Sequence, residues 1–514
     1  MSNYTFKTAK AFLYNVNGRG QTLTKQFPNM QKKLAERSVP SSGFGDTTLT
    51  IVPADPAVEI PFKQKNMEGT TKEKNKKKGA INTEKAVGVG YWVPRHEMVT
   101  LMGECIDEHN AQSTNCKIDY VMGQECISIL PTKKAGQENV VCVTARNVKT
   151  GALKLHQAKL VVGADGMNSK VRNCLATAPT NIWQASGGKF QPNKFQLKQW
   201  TSPASHLRIK VLQLPPQFEI PNANGLPPLK TVSNDIYAIR SVNTGPRNYL
   251  SLGLLPMKDN TAVRPTNIVT RPDHEVWEIE DGKAMKEYFQ KAYPRFNFDD
   301  ESMISNEEWE RFARAQGTTF PYCQYSEGLA VWDSSGTCGV ALVGDAIHAF
   351  PPDIGQGVNA GLMDVVCLDR ALKGLDTATG KESSTTKDEK KKITTSFQSN
   401  LERYQKQHMP EIASLIRLAR FGAPYQYKQP HRADRILRTL WTMNIAMRLI
   451  LSKLTVGLIQ PPCIILSQNT DLTFRQVMRR ADLTTAFFKT LLVGVMGMFV
   501  KQRFGFGFLK TMFV

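Results

Sequence analysis

The sequence predicts an α/β chain: an open sheet with parallel strands, a second sheet inserted into it, and a helical C-terminal part. Three observations carry this. Two strand–glycine-turn segments, Leu160–Arg172 and Val343–Gly361, lie far apart in the chain. Between them run short alternating apolar segments separated by proline-rich loops. Beyond about residue 400 the apolar spacing becomes helical.

At 514 residues the chain is long enough for two or three domains and a sizeable core. Charged residues make up 22% and apolar residues 41%, as in globular rather than disordered proteins. Nine cysteines run from Cys105 to Cys463 without a Cys-x-x-Cys pair. That pattern reads as reduced thiols in an intracellular protein and argues against a structural zinc site; no metal ligands are assigned. The net charge of +21 is uneven, with 17 Lys/Arg against 5 Asp/Glu from Leu401 to Val514, a net +12. Two further basic runs, Lys72–Lys78 and Lys387–Lys392, read as solvated loops. Such charge fits a nucleic acid or an anionic membrane surface. The aromatic residues do not recur through the basic runs as a stacking platform needs, which argues against nucleic acid.

The first acidic residue is Glu36, and the start is rich in Lys, Ser and Thr, as transit peptides are. Ala11–Gly20 is nevertheless better read as a strand ending in a turn, with mitochondria or plastids left as candidate compartments. From His96 to His109, Met98, Leu101, Met102, Cys105 and Ile106 fall on one helical face. Val140–Ala145 and Leu153–Leu155 flank Lys149-Thr150-Gly151, a hairpin that feeds a strand at Lys159–Val162. Leu207, Ile209 and Val211 alternate with polar residues, as does part of Tyr249–Leu254, so residues from about 180 to 324 read as an antiparallel sheet with long loops. Asp376–Thr395 is a polar linker. Two apolar tracts follow, Leu449–Leu466 and Leu491–Val500, the second next to Phe504, Phe506 and Phe508. A spanning helix needs about 20 apolar residues, so the second tract is short. It reads either as a buried helix or as a monotopic anchor whose apolar groups enter the bilayer edge while Lys/Arg meet anionic headgroups.

The chemistry concentrates in the two glycine turns. A parallel strand at Val340–Val343 ends where a ligand can meet backbone groups at its carboxyl end. Gly344 and Asp345 follow, and Asp345 can accept hydrogen bonds from hydroxyls. Gly355 and Gly357 lack Cβ atoms, which lets the backbone approach a flat ring. The helix after Val358 aims its N-terminal N–H groups, and its positive dipole end, at that ring. His348 and Pro352 shape the turn, and Pro352 removes an N–H donor. In the earlier segment Asp165 sits at a strand end and Gly166 permits a tight turn. Ser169 is placed to cap the next helix, and Arg172 to hold backbone carbonyls or a phosphate.

Gly163-Ala-Asp-Gly-x-x-Ser-x-Val-Arg172 and Gly344-Asp-Ala-x-His-x-x-x-Pro-x-x-Gly-x-Gly-x-Asn-x-Gly-x-x-Asp364, taken together, resemble the paired motifs of group A FAD-dependent monooxygenases, the aromatic hydroxylases. The likeness is nearest to kynurenine 3-monooxygenase-like proteins and runs from about Lys10 to the C-terminus. It implies a glutathione-reductase-like FAD-binding sheet, FAD and NADPH as cofactors, O₂ as co-substrate, and no side chain assigned as catalytic. By the family pattern Arg95 contacts the flavin and Asp345 binds the ribityl chain. Asp165 and Gly166 lie where FAD and NADPH contacts meet. Gly344, Pro352, Gly355, Gln356 and Gly357 fall among the cofactor-binding residues, and the backbone of Val358 and Asn359 meets the ring. The implied division has residues 1–41, 84–180 and 325–375 as the FAD-binding part and 42–83 with 181–324 as a mixed β substrate sheet. A linker at 376–399 and a helical region at 400–514, similar to the family's membrane-associated tail, complete it.

Two departures shape the expectation. No Gly-x-Gly-x-x-Gly precedes Ala11–Gly20, so the unit that cradles the FAD pyrophosphate is not in this sequence. Truncation at the N-terminus is favoured over a pseudoenzyme, because the downstream motifs keep their detail. On the substrate side, Thr47–Ile51 and Ile60–Phe62 hold no arginine and have Phe62 where the kynurenine enzymes have tyrosine; the family's later asparagine contact falls near Tyr425. A carboxylate-bearing substrate is therefore disfavoured against an aromatic or lipophilic one. The alternatives are an isoprenoid or lipid epoxidase or reductase of the same superfamily, and a flavin-free remnant that binds membranes.

Overall fold

The computed structural model describes residues 13–41, 49–61, 89–132, 138–245, 249–380, 396–425 and 432–511. The two basic runs and Phe62 lie outside them. The chain opens on β1 (Leu13–Val16), α1 (Gln21–Thr24), α2 (Pro28–Arg37), β2 (Val39–Ser41) and β3 (Leu49–Val52). Next come β4 (Gly90–Pro94), α3 (Arg95–Gln112), the meander β5 (Gln124–Thr132), β6 (Val140–Asn147) and β7 (Leu153–Ala158), then β8 (Leu160–Gly163) and α4 (Lys170–Ala176).

The middle holds β9 (Gln184–Ala185), β10 (Gly188–Lys189), β11 (Leu197–Trp200), β12 (Arg208–Leu214), and the ribbon β13 (Glu219–Ile220) and β14 (Leu229–Lys230). It continues through β15 (Ile236–Arg240), β16 (Ser251–Leu254), β17 (Arg264–Thr270), α5 (Gly282–Ala292), α6 (Asn306–Arg314) and β18 (Thr318–Thr319). Then follow β19 (Cys323–Ser326), β20 (Ala330–Trp332), β21 (Gly339–Leu342), β22 (His348–Ala349) and α7 (Gly357–Leu372). The C-terminal helices are α8 (Phe397–Phe421), α9 (Arg432–Leu454), α10 (Cys463–Leu466) and α11 (Phe474–Thr511).

The fold is mixed α/β with several sheets. A five-stranded sheet has the order β10-β9-β20-β21-β8. Its β21 and β8 run parallel, with Leu342 opposite Gly163. Gly339–Leu342 is buried at every residue, the pattern of a strand covered on both faces. Trp183, Phe195, Trp332, Leu342 and Tyr404 fill the surrounding core. β1, β4 and β2 form a separate three-stranded sheet in the order β1-β4-β2. The expected FAD-binding sheet, lacking its first strand–helix–strand unit, is thus represented by two separate sheets. The physical reason is plain: among the described residues no strand pairs with the outer edge of β8.

The inserted sheet has the order β18-β12-β17-β16-β15-β3. It is mixed, with β3 parallel to β15 and the other pairs antiparallel. β3 arrives from a distant part of the chain, and only neighbours joined by hairpins must run antiparallel. Val52, Ile239, Leu252 and Ile268 lie in one register row and face α5 and α6. Those helices are set by their caps: Asp281 accepts from Ala284 N at 2.8 Å and Ser305 from Glu308 N at 3.3 Å. They bury Phe289, Trp309 and Phe312 against the sheet. Truncating Phe289 to alanine would cost about 3–5 kcal/mol.

α8 begins at Phe397, inside the stretch read as linker, because Ser396 Oγ caps it by accepting from Ser399 N at 3.1 Å. The start of α11 packs Val477 and Met478 against α8 residues Leu415 and Leu418. Further along, the two apolar tracts are largely exposed, although the first ends in the core at Leu466. Leu454 is 73% exposed, Leu458 89%, Val493 69% and Met498 65%. One helical stretch among the described residues, Phe474–Met498, is long and apolar enough to cross a membrane by length and composition.

Candidate functional site

The parallel pairing of β21 with β8 places the two glycine turns side by side at the carboxyl ends of their strands. Val343 N donates to Gly163 O at 3.0 Å, extending the ladder to the turns themselves. Arg172, the last residue of the first motif, bridges to the second. Its guanidinium donates to Ala346 O at 2.8 Å and to Met167 O at 3.0 Å. It is buried, and burial lowers its pKa while Asp165 opposes that shift. Ser169 Oγ caps α4 by accepting from Arg172 N at 2.9 Å. The Asp165 carboxylate is committed to the same cap, accepting from Lys170 N at 2.6 Å and Val171 N at 3.1 Å.

Behind the second turn lies a buried hub, of which the sequence shows only the aspartate that ends the motif. Asp364, on α7, is 2% exposed. It accepts from Gly344 N at 2.7 Å and pairs with His348 Nε2 at 2.9 Å and His408 Nε2 at 2.7 Å. Burial alone would raise the carboxyl, but His348 and His408 override it and hold it below the usual carboxylate range. Burial likewise opposes charge on His408, and Cys367 and Asp364 outweigh it, so its pKa lies well above the ordinary histidine value. Gly344 has φ +61°, a conformation that glycine adopts without strain. The hub fixes this turn and thereby the exposed Asp345 beside it. Asp345 is reachable by water yet crowded by protein. That partial burial raises its pKa, with His348 opposing and Asp364 adding.

The start of α7 is locked to the N-terminal turn after β1. Asn359, fully buried, donates to Asn15 O at 2.9 Å and to Gly355 O at 3.2 Å, and accepts from Asn17 N at 2.9 Å. Gln356 is buried and accepts from Asn17 Nδ2 at 3.5 Å. The next residues of that turn grip the C-terminal region. Arg19 donates to Ser467 O at 2.6 Å, Asn469 O at 2.9 Å and Leu472 O at 2.8 Å, and stacks over the Phe474 ring at 4.6 Å. Burial lowers its pKa to about 10, against Glu411 and Asp471.

The predicted site residues thus divide by direction. Pro352, Gly355 and Gly357 are exposed, as is Asp345, whereas the side chains of Gln356 and Asn359 turn into the protein. A Cβ built at Gly357 would meet nothing within 4 Å, so no protein packing accounts for this glycine. The N–H groups of Gly357, Val358 and Asn359 have no acceptor among the described residues, and Ala360 N is the first to find one, at Gln356 O. Gly166, with φ +83°, also faces open space. Arg95 begins α3, half-buried, and its guanidinium has no hydrogen-bond or ion-pair partner among the described residues. Tyr425 packs edge-on against Trp441, 6.3 Å between centroids.

Sequence reasoning missed Asp353. It is 9% exposed, and its Oδ1 is buried without a partner. Burial pushes its carboxyl up to about 7. The only signal in the sequence is an acidic residue between Pro352 and Ile354, in a turn where nothing basic stands near.

Asp345, three orphan N–H donors and a glycine opening on empty space fit the ring and ribityl end of a flavin. Residues 334–395 match the FAD binding domain family. No curated protein sequence matches the chain. Among solved structures, PqsL, a probable FAD-dependent monooxygenase from Pseudomonas aeruginosa, is similar at 14% identity, covering 80% of this chain and 85% of that one, with a TM-score of 0.43. CtdE in complex with FAD is similar at 12% identity over 80% and 83%, TM-score 0.43. The oxygenase of 2-methyl-3-hydroxypyridine-5-carboxylic acid is similar at 15% identity over 80% of each chain, TM-score 0.41.

Proposed function

We propose that the protein is an FAD-dependent, NADPH- and O₂-using monooxygenase of an aromatic or lipophilic small molecule. The observation that carries this reading is the start of α7. Three N–H groups there are unpaired, at a glycine that no packing requires, on the helix that packs against the turn carrying Asp345. Asp345 would hold the ribityl hydroxyls. The α7 N–H groups and the positive end of that helix would hold the anionic edge of the reduced ring. FAD supplies the redox chemistry by which substrate, O₂, NADPH and a proton become hydroxylated substrate, NADP⁺ and water. The chain's own work is to orient the ring and to fix the turn through the Asp364 hub. The pyrophosphate cradle has no counterpart in the sequence, so the fit covers the ring end.

The exposed apolar residues of α9 and α11, interspersed with Arg435, Arg438, Arg479 and Lys489, support docking on an anionic membrane surface. Lipophilic substrates would then reach the site from the bilayer.

The test is flavin binding. With the pyrophosphate cradle missing, FAD is not expected to stay bound through purification; saturated with FAD, the protein should bind it weakly at the ring end, and Asp345→Ala should weaken that binding at least tenfold. Parent protein that takes up no FAD when saturated with it sinks the reading. Sedimentation with phosphatidylserine vesicles, weakened by salt, tests the membrane part.

A further inference from the structure

A cavity of about 370 Å³ lies between the edge hairpin β9–β10, the start of β20 and the middle of α8. No residue of either glycine turn or of α7 lines it, so its lining is distinct from that of the flavin site. Its apolar wall is made by Phe195, Met409 and Pro410. The fold holds Phe195 there. The ring belongs to the core around the five-stranded sheet, and a Cβ on Gly328 would come within 2.5 Å of it. Gly328 N donates to Lys194 O at 2.8 Å, which pins the turn at Pro192–Phe195 over the start of β20. Gln405 completes the wall, its amide committed to Leu329 N at 2.7 Å and Glu327 O at 2.9 Å.

Four charged side chains line the cavity: Lys189, Lys194, Glu327 and Lys406. Glu327 is paired with Lys198 outside the cavity, and Lys406 with Glu402. The ammonium groups of Lys189 and Lys194 have no hydrogen-bond or ion-pair partner among the described residues. Two uncompensated cations thus border an apolar recess. An inorganic anion would meet the cations and leave the recess wet, whereas a neutral apolar molecule would fill the recess and leave the cations unused. A molecule carrying both features gains both terms.

We propose that this cavity binds an amphipathic organic anion, its acidic group at Lys189 and Lys194 and its apolar body on Phe195, Met409 and Pro410. The volume lies within the usual range of small-molecule sites, roughly 300–1,000 Å³. The one carboxylate in the lining, Glu327, is offset by Lys198. The site does not rest on the flavin reading. The same helix presents Tyr404 to Leu342 O and His408 to Asp364, so an occupant would brace the helix that completes the Asp364 hub.

The experiment acetylates the full chain with trace acetic anhydride and reads each lysine by mass spectrometry, with and without 2-naphthoate. The expected result is about fivefold slower acetylation of Lys189, Lys194 and Lys406, with exposed Lys154 unchanged as the reference. 2-Naphthol and inorganic phosphate, which each carry half of the chemistry, should protect much less. In the double variant Lys189→Gln and Lys194→Gln, protecting Lys406 should take about tenfold more 2-naphthoate. Reading single lysines separates this cavity from uptake on the exposed apolar residues of α9 and α11. Lys189 and Lys194 that react at the same rate in saturating 2-naphthoate overturn the proposal. Equal protection by 2-naphthol or by phosphate overturns it too, since the site would then read only apolar surface or only charge.

Discussion

Asp364→Asn should be among the most damaging conservative changes in the chain. The amide keeps the shape but not the charge, and one of its two ends donates instead of accepting. Asp364 now accepts from Gly344 N and pairs with two imidazole nitrogens, all within 2.9 Å and the two imidazole pairs buried. At least one of these donors loses its partner, and His408 loses the carboxylate that keeps it charged. Removing one partner of a buried pair costs about 3–5 kcal/mol. The pH profile fixes the cause. Asp364 is depressed in the folded state, so its contribution is present above the unfolded value near 3.8 and erodes as pH falls through the lower folded value. His408 is raised, so its contribution is complete below its ordinary value of 6.5 and fades as pH rises through the higher folded value. The gap between parent and variant should therefore be widest from about pH 4 to pH 6.5 and narrow in alkali. Urea titrations of the flavin-free proteins across pH 4 to 10 measure it. A gap under about 1 kcal/mol at pH 6, or one that does not narrow in alkali, refutes the assignment of charge to this hub.

Asp353→Asn should do the reverse. Its carboxyl is raised from 3.8 to about 7, so the folded protein holds a proton that the unfolded chain releases, and stability falls as pH rises through that window. The variant should gain up to about 4 kcal/mol above pH 7 and nothing below about pH 4, read by the same titrations. Arg19→Met leaves three carbonyls of the 467–472 segment without their donor. It should cost about 3 kcal/mol and speed amide exchange over residues 467–478, measured by mass spectrometry. Gly357→Val should leave the flavin-free protein's melting temperature within about 2 °C, since its Cβ meets only open space, yet cut FAD affinity at least tenfold by fluorescence titration. A loss of stability without flavin would mean that the glycine serves packing.

Much of this was legible in sequence, for reasons particular residues make clear. The helix at Arg95–Gln112 announced itself because Met98 and Leu101 repeat at helical spacing and both are buried. Ser169 and Arg172 were read as a cap and a carbonyl ligand, and both act so, because such roles depend on neighbours within a turn. The missing first unit was legible, but not that β1, β4 and β2 would form a sheet of their own. Sheet membership is decided by which edges meet, and the composition of a strand does not encode its neighbour. β3 joined the inserted sheet in parallel for the same reason. His408 was invisible as a partner of Asp364 because it lies on another helix, beyond the linker. The exposure of the C-terminal tracts was ambiguous because Leu458 and Val493 would read alike in a core and on a bilayer-facing surface.

The direction in which each motif residue faces separates two kinds of constraint that one sequence pattern combines. Gln356, Asn359 and Asp364 point inward and are consumed by the fold: they hold the N-terminal turn, the helix start and the Gly344 turn. Pro352, Gly355, Gly357 and Asp345 point outward; Gly355 is accounted for by its φ of +60° and by its carbonyl accepting from Asn359 Nδ2, whereas no packing accounts for Gly357. A motif kept only for packing would show the first set alone, and its glycines would lie against neighbours. That is the case at Gly163, where a Cβ would come within 2.7 Å of Leu342 and Val171. Gly357 differs: its φ is not positive, its surroundings are empty, and it starts a helix whose first three N–H groups are unpaired. Glycine lowers the stability of a helix interior by roughly 0.5–1 kcal/mol relative to alanine; at the first position of α7 the cost is smaller, and packing recovers none of it. A ligand that needs the backbone within van der Waals reach would recover it, which is why Gly357 separates a flavin site from a structural turn more sharply than Asp345 does.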